Sequence, residues 1–320
     1  MEQKHINNMD DISFDNKKDF ILTPYIKDIT TRALIYLNSG FPVHLKGPAG
    51  TGKTMTALYI AKVLGKPTTI IFGNEDLETS DMIGLQYGFR KKLIVDNYIH
   101  SVHKRVEDFE QKWMDGRIVD TCESGNTLIY DEFTRSRSET NNILLSVLEE
   151  KVIELPISYK GENKLIKVHP EFRAIFTSNP EEYVGVYKSQ DALVDRFITI
   201  ELDFPDEESE ILIAKAKSNM PAENVKKIVA IVRSFREQYK SRFVISLRDS
   251  IKLCKVMQIN KVHIDPNNDT FKQICFDVLT SGVSVQKNNS DITQLRHDLD
   301  FIINSFLTKS IIKGEVTCPK

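Results

Sequence analysis

The octapeptide Gly47-Pro48-Ala49-Gly50-Thr51-Gly52-Lys53-Thr54 narrows the possible folds more than any other stretch of the chain. It follows the short apolar run Val43-His44-Leu45 and opens the helical spacing Ala57, Ile60, Ala61, Leu64, so it stands where a strand hands over to a helix. A phosphate-binding loop requires that order. Its glycines let successive backbone N–H groups turn inward, and those amides act with the positive end of the helix dipole on phosphate oxygens. Gly47 to Thr54 therefore reads as a nucleotide phosphate cradle, with Lys53 reaching the β- and γ-phosphates and the Thr54 hydroxyl on Mg²⁺.

A second run supplies carboxylates. Thr127-Leu128-Ile129-Tyr130-Asp131-Glu132 is an apolar strand ending in two acids. Alone such a run is common, because a strand leaving a core often ends in charge; downstream of a phosphate loop it acquires chemical meaning. One acid at the end of a buried strand holds Mg²⁺ through water and an adjacent acid polarises the attacking water, which assigns Asp131 to the metal and Glu132 to the base. Phe172 to Ser178 reads as a further core strand with Asn179 at its end. Ligands of a parallel sheet lie outside the carboxyl ends of its strands, so Asn179 is expected beside Gly47–Thr54 and Asp131, where its amide can donate to the γ-phosphate or position water. Asn179-Pro180 also starts a turn, and both statements can hold together.

Composition adds exclusions. At 320 residues, 41% hydrophobic and 28% charged, the chain can bury a large core and form two domains. A net charge of -2 argues against a protein whose main task is coating nucleic acid. No apolar run approaches the length of a membrane span, and Met1 to Lys18 is polar with no signal-peptide core, so the expected location is the cytosol. Cys122, Cys254, Cys275 and Cys318 are scattered without a Cys-x-x-Cys pair or His partners at metal spacing, which favours reduced core cysteines over a metal site.

In chain order, residues 1–19 read as a disordered leader, followed by Phe20 to Leu22 as a short docking segment and a helix with Thr23 as N-cap, Pro24 in its first turn and Gly40 as its stop. Thr68 to Gly73 is a second buried strand. Ser80 to Gly84 reads as a turn, Leu85 to Asp96 as a short hairpin or a mobile loop, and Val102, Val106, Phe109 and Trp113 predict an amphipathic helix. Glu139 to Glu150 is expected to be helical, and Val152–Ser158 with Lys164–Val168 to form a hairpin around Gly161-Glu162-Asn163. Phe197 to Leu202 completes the sheet. Asp203 to Asp206 is a linker, after which five helical faces follow and Lys313 to Lys320 trails as a tail.

These residues together resemble the AAA+ ATPase family, and the likeness covers nearly the whole chain. Gly47–Thr54 and Thr127–Glu132 match its Walker A and Walker B motifs and Asn179 its sensor 1; Arg196 in Val-Asp-Arg-Phe matches the arginine finger, and Arg248 in Ser246-Leu247-Arg248 looks like sensor 2. The Val152–Val168 hairpin is similar to the pre-sensor-1 hairpin of the MoxR-like branch, from whose usual run Asp131-Glu132-Phe133-Thr134-Arg135 departs slightly. Closer still, Tyr183 to Arg196, the Pro-Ala-Gly-Thr-Gly-Lys-Thr loop and Leu144 to Glu150 resemble the gas vesicle protein N family.

That resemblance implies an α/β fold, namely a P-loop AAA+ three-layer domain with a central parallel sheet over residues 20–203 and a small all-α lid over 204–312. It implies ATP and Mg²⁺ as cofactors, hydrolysis of ATP to drive assembly, enlargement or remodelling of the gas vesicle shell, and a location in the cytoplasm or at the vesicle. The partners implied are gas vesicle structural and accessory proteins and further copies of the chain in a ring, expected as a hexamer, with no membrane and no nucleic acid. In such a ring Arg196 would reach a neighbour's nucleotide, its plain alternative being an ion pair with Asp195 or another acid, and Arg248 would read the γ-phosphate from the lid. Two rivals remain: a nucleotide-gated scaffold with little turnover, and a MoxR-like chaperone or nucleic-acid remodelling ATPase using Arg90, Lys91 and Lys92.

Overall fold

The computed structural model describes residues 20–96, 104–155, 164–180, 191–239, 244–281 and 289–312. The expected leader 1–19, the tail 313–320, Val102 and Tyr183 to Gln190 lie outside the described residues.

Thr23 caps α1 (Pro24–Asn38), its Oγ1 accepting from the Ile26 N–H at 3.3 Å, and Ile29, Ala33 and Leu37 are buried at one-turn spacing. Gly40, at φ 87°, ends the helix in the left-handed region. β1 (Val43–Lys46) then leads through the glycine loop to α2 (Lys53–Leu64) and β2 (Thr68–Phe72). A short α3 (Thr79–Ile83) precedes a long antiparallel ribbon of β3 (Gly84–Asp96) and β4 (Lys104–Asp115). Next come α4 (Arg117–Ser124), β5 (Thr127–Asp131), α5 (Ser138–Asn141), α6 (Ile143–Leu145) and a π-helical turn, Ser146–Glu150. β6 (Val152–Leu155) pairs antiparallel with β7 (Lys164–Lys167), and β8 (Arg173–Ser178), α7 (Asp191–Val194) and β9 (Ile198–Glu201) follow. Five helices close the described chain: α8 (Glu207–Ser218), α9 (Ala222–Tyr239), α10 (Leu247–Asn260), α11 (Asp269–Thr280) and α12 (Asn289–Ile312).

The main sheet has the order β2-β5-β8-β1-β9, with β2–β5, β5–β8 and β8–β1 parallel. Strands buried on both faces read as continuous apolar runs, and every residue of β5 is buried. The register pairs Phe72 with Asp131 and Lys46 with Ser178, so the ends of these strands share one edge of the sheet.

Three expectations need correction. Ser80 to Gly84 is the last part of a short helix and the first residue of a strand, not a turn. Residues 104–115 form a strand rather than an amphipathic helix: Lys104 to Asp115 pair along β3, and the ladder supplies the backbone hydrogen bonds that a helix would have made locally. Leu85 to Asp96 is one arm of that ribbon. The helix expected over 139–150 is present: the backbone stays right-handed helical through Asn142, Leu145 and Ser146 and its last turn is of π type. Buried Asn141 ties it to the neighbouring segment, its amide donating to the Phe133 carbonyl at 3.3 Å and its oxygen accepting from Tyr130 at 2.9 Å. α4, held between Gly116 and Gly125 with Ile118, Val119 and Cys122 buried, had no counterpart in the sequence reading.

Contacts divide the chain into two units, one of Arg32–Lys46 with Ala57–Ile200, the other of Gly47–Thr56 with Glu201 onward and the described residues before Arg32. The first has a core that includes Ile71, Leu128, Tyr130, Phe133, Phe176 and Phe197. The second is built on Val225, Ile228, Val232, Phe235, Leu253 and Phe271. In α12 Leu307 is buried and Phe306 is exposed.

Candidate active site

The glycine loop turns back on itself. Gly50 at φ 80° and Gly52 at φ 93° adopt left-handed backbone that glycine enters freely. Lys53, at the first position of α2, is buried, and its Nζ donates to the Gly47 and Pro48 carbonyls at 2.8 Å each. Thr51 Oγ1 donates to the same Pro48 carbonyl at 3.0 Å, and the Thr56 N–H to the Gly52 carbonyl at 2.9 Å starts the helical ladder that includes Thr54. A cation thus sits within the loop, with the first amides of α2 close by in sequence.

The same unit brings Arg248 to the loop. Ser246 is the N-cap of α10 in a capping box with Asp249, the Ser246 N–H donating to Asp249 Oδ2 at 2.9 Å. A Cβ placed on Gly50 would lie 2.4 Å from Ser246 Cβ and 3.8 Å from Arg248 Cδ, so this glycine is required by close approach as well as by φ. A cavity of about 220 Å³ lies between them, lined by Ala49, Gly50, Ile245, Ser246, Arg248 and Lys252 among others. Behind it the Arg236 Nε donates to the Ile245 carbonyl at 2.8 Å, while its terminal nitrogens meet the fully buried Glu210 at 2.8 and 3.1 Å. Arg233 and the Ser250 hydroxyl bind the same carboxylate, at 3.0 and 2.6 Å.

In the sheet unit, Asp131 ends β5 with 6% of its surface exposed. Thr177 Oγ1 donates to Asp131 Oδ1 at 2.5 Å and accepts from the Glu132 N–H at 2.9 Å. Glu132 has left-handed backbone, φ 53° and ψ 41°, uncommon for a residue with a side chain. Its carboxylate meets Arg135 Nε at 2.9 Å. Gly73 makes that turn possible, since a Cβ there would lie 2.2 Å from the Glu132 carbonyl oxygen. Asn179 is buried directly after β8, one strand from Asp131. Arg196 has its own partners. Its guanidinium binds the Glu149 carboxylate and the Ala192 carbonyl, with Nε buried and unpartnered. The acid is thus Glu149 of the π-turn and not the adjacent Asp195.

Among the described residues no cluster of three or more His, Cys, Asp or Glu could cage a metal ion. Mg²⁺ is commonly held by one or two protein oxygens with phosphates and water completing its shell, and the buried Asp131 carboxylate has the oxygen donors that such a site would need. Burial pushes the Cys122, Cys254 and Cys275 thiols up to about 12, so they are inert core groups. No helix of the described residues is long and apolar enough to cross a membrane.

Residues 42–197 match the model of the AAA domain, dynein-related subfamily. The gas vesicle ATPase GvpN of Ancylobacter aquaticus is 44% identical over 267 residues, which are 83% of this chain and 74% of that protein. The chain belongs to the GvpN family of gas vesicle ATPases. The GvpN of Haloferax mediterranei is 36% identical over 297 residues, 92% of this chain and 83% of that one. Within this GvpN-family chain the AAA match takes in Gly47–Thr54, Asp131, Glu132, Asn179 and Arg196, while Arg248 lies beyond it. Sequence reasoning missed Thr177, Gly73, Ser246 and Arg135. Gly73 directly after an apolar strand was a usable signal; Thr177 reads as an ordinary strand former.

Proposed function

We propose that this chain hydrolyses ATP to ADP and phosphate and couples the reaction to assembly, enlargement or remodelling of the gas vesicle shell. The observation that carries the reading is the pair at the end of β5, a buried Asp131 held by Thr177 followed by Glu132 on a left-handed turn. A protein that only bound nucleotide could dispense with the second acid. Kinship with gas vesicle ATPases supports the choice of partner.

In this reading the loop Gly47-Pro48-Ala49-Gly50-Thr51-Gly52 and Lys53 bind the phosphates, Thr54 and Asp131 hold Mg²⁺, Glu132 is the base, Asn179 positions water or the γ-phosphate, and Arg248 contacts phosphate from the helical lid. Bound Mg²⁺ offsets charge on the β- and γ-phosphate oxygens. Lys53 leaves the Gly47 and Pro48 carbonyls for phosphate, a partner of opposite charge. The nucleotide-binding domain spans 20–203 and the lid 204–312. The working form is a ring, a hexamer, in the cytoplasm or on the vesicle, where Arg196 exchanges Glu149 for the nucleotide of the adjoining copy.

The test is phosphate release from purified protein across a concentration series, with and without gas vesicle shell proteins. Turnover per chain should rise with concentration and again with shell protein. Lys53→Ala should lose nucleotide binding and turnover together, whereas Arg196→Ala should keep binding and lose about 10³- to 10⁵-fold in rate. Nucleotide binding without release under any of these conditions would replace the motor by a nucleotide-gated scaffold.

A further inference from the structure

Thr177 is fully buried on β8, in a strand otherwise filled at this level by Ala174, Ile175 and Phe176. Valine would fill the same space, so the hydroxyl needs a reason. A threonine hydroxyl has one proton and two acceptor sites. Here the proton goes to Asp131 Oδ1 at 2.5 Å and the oxygen accepts from the Glu132 N–H at 2.9 Å. Each partner offers a single role, because an ionised carboxylate only accepts and an amide N–H only donates. The arrangement therefore has one sense and cannot invert.

The two partners belong to adjacent residues with different needs. A short hydrogen bond to a carboxylate is of the strong, charge-assisted kind and holds the Asp131 side chain in one orientation. Glu132 occupies left-handed backbone, which is unfavourable for a residue with a side chain, and without Thr177 its partly buried N–H would lose this partner. The Glu132 carbonyl is held separately, accepting from the Arg135 N–H at 2.9 Å. One hydroxyl on the neighbouring strand thus fixes both the orientation of one acid and the turn from which the next projects.

We propose that Thr177 is a positioning residue for ATP hydrolysis, its hydroxyl orienting Asp131 toward its metal role and fixing the backbone that aims Glu132. The proposal rests on the ATPase reading of the same site. Partners that orient a metal ligand typically cost about 10- to 100-fold in metal affinity or activity when removed.

The experiment compares wild type, Thr177→Val and Thr177→Ser by kcat, KM, the Mg²⁺ concentration for half-maximal rate, and binding of a fluorescent ATP analogue in EDTA. Thr177→Val should lower kcat by about 10- to 100-fold and raise the Mg²⁺ requirement by about tenfold, leaving metal-free nucleotide binding unchanged. Thr177→Ser, which keeps the hydroxyl, should recover most of both. Thr177→Ala carries the same test should the valine variant not fold. A hydroxyl-free variant that folds and keeps the wild-type Mg²⁺ requirement and kcat overturns the proposal, as does a serine variant no better than valine. Wild-type protein without Mg²⁺-dependent turnover overturns the ATPase reading itself, an outcome separate from any difference among the variants.

Discussion

His44 on β1 is enclosed by Phe133 and Phe197, ring centroids 5.3 and 5.6 Å away, with its nitrogens 2.8 Å from Ser178 Oγ and 3.1 Å from Thr199 Oγ1. Burial, helped by the positive charge of Lys46, pushes its pKa down to about 4. The folded chain therefore holds this ring neutral at pH values where the unfolded chain would protonate it. Between the unfolded value near 6.5 and the folded value near 4 the unfolded state binds more protons, so stability falls as pH falls through that window. From pH 7 to pH 5 the loss from this group should be about 2 kcal/mol. Urea unfolding at the two pH values should show that loss in the wild type and a smaller one in His44→Gln; equal losses would sink the assignment. At this scale the sequence disclosed what is contiguous. Lys53, Thr54, Asp131 and Asn179 could be singled out because each belongs to a local pattern. Thr177 was not, because its meaning comes from a partner 46 positions away.

Elements were legible where one physical rule dominated. β1, β5 and β8 are strands buried in a parallel sheet and so appear as short apolar runs between breakers. β4 misled because Val106, Phe109 and Trp113 have helical spacing, yet its hydrogen bonds go to another segment that periodicity does not see. α5, α6 and the π turn were read as one helix because the local pattern is continuous, and their backbone does stay helical throughout. The Asn141 contacts with Tyr130 and Phe133 that tie it down are tertiary and leave no trace in that pattern. α10 shows local chemistry and position coinciding. Ser246 both caps it and packs against Gly50. Ser246→Ala should cost about 1 kcal/mol of stability through the lost cap. Since the cap also sets the first turn that carries Arg248, nucleotide affinity should fall along with the melting temperature. Unaltered affinity alongside the expected destabilisation would separate the cap from the site.

For the molecule as a whole, the switch from mixed strands and helices to helices alone was readable from the pattern after Asp203. The grouping of Gly47–Thr56 with the helices was not, because it depends on backbone proximity that leaves no mark on composition. Neither did composition reveal how the helices are pinned. Glu210, fully buried, joins α8 to α9 through Arg233 and Arg236 and to α10 through Ser250. Glu210→Ala would leave two cations facing a void, a loss of about 3–5 kcal/mol. Circular dichroism during urea unfolding should show the helical signal lost at lower denaturant; a midpoint equal to wild type would mean that the arginines find other anions. Gly47 gives the grouping a steric sense. A methyl there would fall 2.1 Å from the Leu202 carbonyl oxygen. The threshold of the cradle and the segment that runs on toward α8 pass so closely here that no side chain fits at Gly47, so any larger residue at this place would have to push one of the two away.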